Sequence, residues 1–296
     1  MSDQSAQLGN YEVHRAWEGF ASIRQRSSGE VMHSRTPPMH EAETLYIGQS
    51  NLARRLRDQH ANIVLWDVGL GGAANSMAAI HCYEAQAKHQ PIAPLRIVSF
   101  ENDLDPLRLA LSHPKDFAYL QHPAPEALLG AGRWRSQEFP GLSWELVPGD
   151  FALTMKSAAP PDLIFYDMFS SACDGTLWGL ATFQNLFEAC IGKTTELITY
   201  TRSTANRATM LAAGWYVAAG PAMGLKEETT IAVTPSAARS QGLRFNLLNR
   251  EWLGKWRRSA AKFPASLPKD LRNDFEERIV SHPQFIAGEQ IEGGAA

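Results

Sequence analysis

Asn62-Ile63-Val64-Leu65-Trp66-Asp67-Val68-Gly69-Leu70-Gly71-Gly72-Ala73-Ala74-Asn75 sets a short apolar run against a turn of small residues. The run from Asn62 to Val68 has the length and β-branched content of a buried strand, and Ala73 to His89 has the length of a helix. G-x-G-x-x-A therefore falls at a strand-to-helix turn, where only small side chains let the backbone approach a ligand and the helix offers unpaired N–H groups. A plain tight turn is the alternative. Its place after a buried-looking strand favours a nucleotide-like cofactor.

On either side of this segment the chain alternates strand-like and helix-like stretches. Further strands are expected at 95–101, 143–147, 162–167, 196–201, 215–219 and 229–233, making seven. Helix-length segments between the first five, such as Leu104 to Ser112, are the pattern of parallel βαβ units. The last two strands are too close for a crossover helix, so they should pair antiparallel. The expected fold is α/β, a mostly parallel seven-stranded sheet with an antiparallel closing strand and helices on both faces. Residues 1–60 are expected to form an N-terminal extension at the entrance, its first 30 residues a loose polar lead-in and its stretch from Glu41 to Leu56 a helix. The domain itself should occupy 61–235. Residues 236–296 should form a helical extension, with one helix over 246–262, a second near 271–280 and a frayed tail.

With 296 residues, the chain has room for a real core. Apolar residues make up 44% and charged residues 20%, which excludes wholesale disorder and a disulfide-built scaffold. A net charge of -3 excludes a histone-like basic coat, though not a local basic face. Cys82, Cys173 and Cys190 show no metal-binding spacing and suit a reducing compartment. With no membrane-length apolar stretch and no leader-like N-terminus, a cytoplasmic location is expected.

Three carboxylates lie at expected strand ends. Glu101 closes the second strand, where an acid can accept both ribose hydroxyls of an adenosine group. Its distance from the glycines exceeds the usual spacing, and the loop from Lys88 to Pro94 accounts for the excess. Asp150 follows the third strand and can receive an adenine amino group or simply cap the next helix. Asp167, in Asp167-Met168-Phe169-Ser170-Ser171, follows the fourth strand at the carboxyl edge of the sheet. A carboxylate there can orient an amine and take its proton, leaving a lone pair for an electrophilic methyl group. A cap or buried acceptor is the structural alternative.

Read together, several motifs resemble the MnmC methyltransferase family: Gly29-Glu30-Val31-Met32-His33-Ser34, Glu41-Ala42, Asp67-Val68-Gly69-Leu70-Gly71, Asp167-Met168-Phe169-Ser170 with Trp178, Thr199-Tyr200-Thr201, Ala213-Gly214-Trp215, and Gly224-Leu225-Lys226-Glu227-Glu228. They keep one order over roughly residues 29–235. The resemblance implies a Rossmann-like class I fold, S-adenosyl-L-methionine as cofactor, and methylation of the 5-aminomethyl group on a tRNA wobble 2-thiouridine. It implies Gly69, Gly71 and Asn75 at the methionine end of the cofactor, Glu101 at the ribose, Asp150 at the adenine, and Asp167 as the catalytic acid at the amine. Phe169 and Lys226 fall on the substrate side. Many relatives carry a C-terminal flavin oxidase domain. Only about 60 residues follow Pro235, so the chain resembles the stand-alone form, which needs no flavin and leaves the preceding oxidation to a separate oxidase partner. Two departures stand out: Gly71-Gly72-Ala73 replaces a glycine-threonine-glycine turn, and Ser171 replaces a proline.

Between Arg250 and Lys262, five basic residues interleave with Trp252 and Trp256. The tryptophans are expected to pack inward, while the charges read equally as solvated or as phosphate-binding. Arg54, Arg55 and Arg57, and Arg133 and Arg135 around Trp134, are further positive charge. His33 and His40 lack ligand-spaced partners, so no metal is expected. Three other readings stand beside wobble-uridine methylation: a methyltransferase for a small-molecule acceptor, a dinucleotide-dependent oxidoreductase, and a non-catalytic RNA-binding module.

Overall fold

A computed structural model describes residues 6–58, 61–221, 228–241 and 244–286. The chain forms two compact units, Met1–Phe169 and Ser170–Ala296.

The first unit opens with an antiparallel sheet of β1 (Gln7–Leu8), β2 (Tyr11–Arg15) and β3 (Ala21–Gln25). The expected loose lead-in is thus corrected from residue 7 onward. The period-2 alternation is visible in β2, where Tyr11 and Val13 are buried while Glu12 and His14 are only partly covered. Next come α1 (Pro38–Glu41), a π-helical segment (Ala42–Gly48) and α2 (Leu52–Asp58), broken at Asn51 with φ 51°. The helix expected from Glu41 to Leu56 is therefore an interrupted one.

β4 (Ile63–Val68), α3 (Ala74–Ala87), β5 (Leu95–Glu101), α4 (Asp105–Leu111), α5 (Pro123–Ala131), β6 (Arg133–Arg135), β7 (Leu142–Pro148), α6 (Phe151–Thr154) and β8 (Leu163–Tyr166) complete the unit. β4 pairs in parallel with both β5 and β8, and β5 in parallel with β7. The antiparallel edge strand β6, too short to stand out in sequence, closes on β7. The order β8-β4-β5-β7-β6 reverses direction at β4, and such a switch point opens a crevice at the carboxyl ends of the strands. Helices cover both faces of this sheet. Asp67 and Ser99 meet Ser76 of α3 on one face, while Trp66 and Phe100 meet Phe151 of α6 on the other.

The second unit comprises α7 (Leu180–Ala189), β9 (Glu196–Thr199), α8 (Thr204–Ala212), β10 (Tyr216–Gly220), β11 (Thr229–Val233), α9 (Pro235–Gln241), β12 (Asn246–Leu247), α10 (Arg250–Arg258), α11 (Arg272–Val280) and α12 (Pro283–Ile286). β10 and β11 pair antiparallel, as expected, and β11 is also antiparallel to β9. β12 adds an edge to β10. The helix expected over 246–262 begins later, at Arg250, because Asn249 caps it by accepting from the Trp252 N–H. Trp256 is fully buried and Trp252 stacks at 6.4 Å on Phe285, so both tryptophans pack as expected.

Candidate functional site

The turn after β4 depends on backbone room. Gly69 has φ +90°, and a Cβ there would lie 2.7 Å from the carbonyl oxygen of Asp167, so the two strand ends touch backbone to backbone. Gly71, at φ +49°, faces the Met32 sulfur, which would sit 3.1 Å from an added Cβ. Ala73 takes a left-handed conformation (φ 63°, ψ 21°) just before α3, where glycine is at ease and alanine is not. Its methyl group supplies no capping oxygen, leaving the N-terminus of α3 open to an acceptor.

Four polar side chains gather around this turn. Glu101 accepts from the backbone N–H groups of Gly71 (3.0 Å), Asn102 (2.9 Å) and Asp103 (3.0 Å). A carboxylate offers about four acceptor sites, so roughly one remains for a ribose hydroxyl. Burial raises its pKa against the pull of those three donors. One oxygen of Asp67 accepts from Ser76 (2.5 Å) and Ser99 (2.9 Å), and Ser99 in turn accepts from the Trp144 indole (2.8 Å). Asp67 Oδ1 is buried without a partner. Its pKa is pushed up to about 7, by burial first and then by the charges of Asp167 and Glu101.

Asn75 links the turn to Asp167, its Nδ2 donating to Asp167 Oδ2 at 2.9 Å. Asn75 Oδ1 is a second buried acceptor without a partner. Burial raises the pKa of Asp167. The positive charge of His33 and hydrogen bonds from Asn75 and Tyr46 oppose that shift, while the charge of Glu41 adds to it. His33 and Glu41 form a pair at 3.4 Å. Ala42, next to Glu41, packs on Ala74 and Ala78 of α3, which brings this N-terminal segment to the crevice.

The structure thus brings Gly69, Gly71, Asn75, Glu101 and Asp167 together. Asp150 follows Gly149, whose N–H donates to the Glu101 carbonyl. It caps α6 with one oxygen, 2.8 Å from the Ala152 nitrogen, and so performs the structural role open to it. Phe169 is half-buried at the end of the first unit. Lys226 lies outside the described residues. Sequence reading assigned no role to Asp67, although it directly precedes the first glycine motif. Glu41 belongs to a motif that carries the resemblance, which assigns it no chemical role, and no local pattern marks Tyr46. Among the described residues no cluster of three or more His, Cys, Asp or Glu side chains is arranged to hold a metal, and no helix is long and apolar enough to cross a membrane.

S-adenosyl-L-methionine fits this donor set. The two unpartnered acceptors, Asp67 Oδ1 and Asn75 Oδ1, call for a buried donor such as its α-ammonium. The Cβ-free cradle at Gly69 and Gly71 admits its backbone-contacting end, and the surrounding carboxylates suit a sulfonium cation.

Residues 120–235 match the model of an S-adenosyl-L-methionine-dependent methyltransferase family. No curated relative matches the chain. Among solved structures, MnmC2 from Aquifex aeolicus is similar over 93% of this chain and 86% of its own, with 21% identity and a TM-score of 0.65. A probable spermidine synthase from Corynebacterium glutamicum is similar over 88% and 94%, with 13% identity and a TM-score of 0.47. With the family match and the cradle after β4, the chain is an S-adenosyl-L-methionine-dependent methyltransferase with an MnmC2-like fold.

Proposed function

We propose that the chain methylates the 5-aminomethyl group of a wobble 2-thiouridine in tRNA. The observation that carries this reading is Asp167. It is a carboxylate at the switch point of the sheet, tied by Asn75 to the cofactor turn and raised in proton affinity by burial. S-adenosyl-L-methionine supplies a methyl group made electrophilic by its sulfonium. Gly69, Gly71, Asn75 and Asp67 hold the methionine end, and Glu101 takes a ribose hydroxyl. Asp167 accepts a hydrogen bond and then a proton from the acceptor ammonium, exposing the nitrogen lone pair to the methyl carbon. A carboxylate with raised proton affinity suits that task better than an ordinary one. Orientation of the two reactants can contribute about 7 to 11 kcal/mol of barrier reduction.

The likeness in fold to MnmC2 and the motifs shared with its family support tRNA as substrate. Phe169 would line the substrate side, with the N-terminal extension shaping the entrance and a separate oxidase generating the free aminomethyl group in the cytoplasm. The test is to incubate the protein with labelled cofactor and tRNA from cells that lack this methylation. Label should appear in the wobble nucleoside. Label confined to small amines, with the wobble nucleoside blank, would overturn the assignment.

A further inference from the structure

At the amino ends of β5 and β7, on the face that α6 covers nearer the carboxyl ends, lies a groove of about 870 Å³. Strand register explains its lining. Arg135 pairs with Ser143 and Ser143 with Arg96, while one step along Arg133 pairs with Glu145. Laterally paired residues share a face, as do residues two apart on one strand. Arg96, Arg133, Arg135, Ser143 and Glu145 therefore project to one side. Trp134 projects to the other, toward His122 at 5.2 Å. Arg96 is engaged by Glu145 at 2.7 Å, both about half exposed. Arg133 and Arg135 are exposed and have no ion pair among the described residues. The groove thus carries two uncompensated guanidinium groups, with backbones roughly 7 Å apart on an edge strand.

We infer that this groove is a docking surface for the phosphate backbone of an RNA, remote from the methyl-transfer site. Arginine's planar fork matches phosphate oxygens, and two adjacent positive side chains in a shallow groove complement a polyanion. Arg96 lies five residues before Glu101 on β5, so the patch is roughly 16 Å from the cofactor end of the same strand. A folded RNA with its reacting base in the crevice spans that distance; a small amine does not. Contacts from arginines to phosphate oxygens position an RNA without reading its sequence. This inference rests on the tRNA reading above.

The test measures binding of bulk tRNA to the full chain across a salt series, for wild type and for Arg133→Ala combined with Arg135→Ala. Both side chains are exposed, and thermal unfolding checks that the variant folds; Arg133→Lys with Arg135→Lys provides a second, charge-conserving variant. The alanine pair should weaken binding about tenfold and lower the slope of log K against log salt by about 1.5. KM for tRNA should rise at unchanged kcat, S-adenosylhomocysteine binding should be unaltered, and the lysine pair should recover most of the affinity. Wild-type affinity and slope in the alanine pair would overturn the inference, as would a polyglutamate peptide bound as tightly as tRNA with the same arginine dependence. If tRNA is methylated while the alanine pair binds normally, only the groove assignment fails. If the arginines govern RNA binding yet the wobble base is never methylated, only the substrate assignment fails.

Discussion

Asp167 and Asp67 are both carboxylates in the crevice with raised proton affinity, yet their environments give them different work. Asp167 faces groups of both signs, His33 and Glu41, and receives hydrogen bonds from Asn75 and Tyr46. Asp167→Asn should lower kcat by 10²- to 10⁴-fold, the usual span of general-base catalysis, while S-adenosylhomocysteine affinity by calorimetry changes little. In the proposed role the ionised form of Asp167 is the base, so the rate should fall as pH drops through the raised pKa. His33→Gln removes a charge that favours ionisation, so the acidic limb of kcat/KM should move to higher pH. A limb at the wild-type position would mean His33 does not act on Asp167. Asp67 instead lies fully buried on two serine hydroxyls, and burial pushes its pKa up to about 7, against roughly 3.9 in an unfolded chain. The native state therefore retains a proton that the unfolded state has lost, and stability should decline as pH rises from about 4 to about 7. Asp67→Asn should abolish that decline in denaturant titrations. Saturating S-adenosylhomocysteine should reduce it in wild type, since a bound ammonium favours the ionised carboxylate. An identical pH slope in variant and wild type would remove Asp67 from this account.

At the scale of elements, the turn between β4 and α3 is legible in sequence and carries a left-handed alanine. Its glycines could be read from spacing because a strand run followed by small residues has few other uses. What spacing did not disclose is that Ala73, a departure from glycine, adopts φ 63°. A left-handed alanine costs about 1–2 kcal/mol, and glycine returns about 0.4–1 kcal/mol of that through the freedom it gives the unfolded chain. Ala73→Gly should therefore stabilise the protein modestly, by about 0.5–1 kcal/mol in equilibrium unfolding. Gly69→Ala should do the reverse. Its methyl group would press on the Asp167 carbonyl at a φ of +90°, costing about 1–3 kcal/mol, and kcat/KM should fall at least tenfold as the base is displaced. The β2-β3 hairpin is hard to read from sequence for a different reason. Its polar composition outweighs an alternation only five residues long, and its register is fixed by burying Tyr11, Val13 and Ile23 rather than by a local signal.

Over the whole chain, the seven strands expected from apolar runs are all strands; β4, β5, β8, β9 and β11 are largely buried, whereas β7 alternates Leu142 and Trp144 inward with partly exposed Ser143 and Glu145. Edge strands β6 and β12 carry no such run, since one side of an edge meets solvent. The site was legible where residues sit at strand ends and illegible where distant loops supply them. Gly69 and Glu101 follow from strand position, whereas Tyr46 and the His33–Glu41 pair reach Asp167 only through the packing of Ala42 on α3. Charge shows the same division. A net charge of -3 gives no general attraction for a polyanion, so the RNA association proposed above would depend on local groups left uncompensated by the fold. Much of the basic stretch on and after α10 is already engaged: Lys255 pairs with Glu251, Arg250 donates to the Phe285 carbonyl, and Lys262 pairs with Glu276 while lying 5.8 Å from the Trp256 ring. Trp256 donates to the Lys262 carbonyl at 3.0 Å, which joins the helix to the loop after it. Trp256→Ala should then cost about 3–5 kcal/mol in unfolding free energy. Lys255→Ala, by contrast, removes an exposed pair of marginal worth and should leave tRNA affinity within about twofold. A large loss of tRNA affinity in Lys255→Ala at unchanged stability would move the RNA surface from the edge of the sheet to α10.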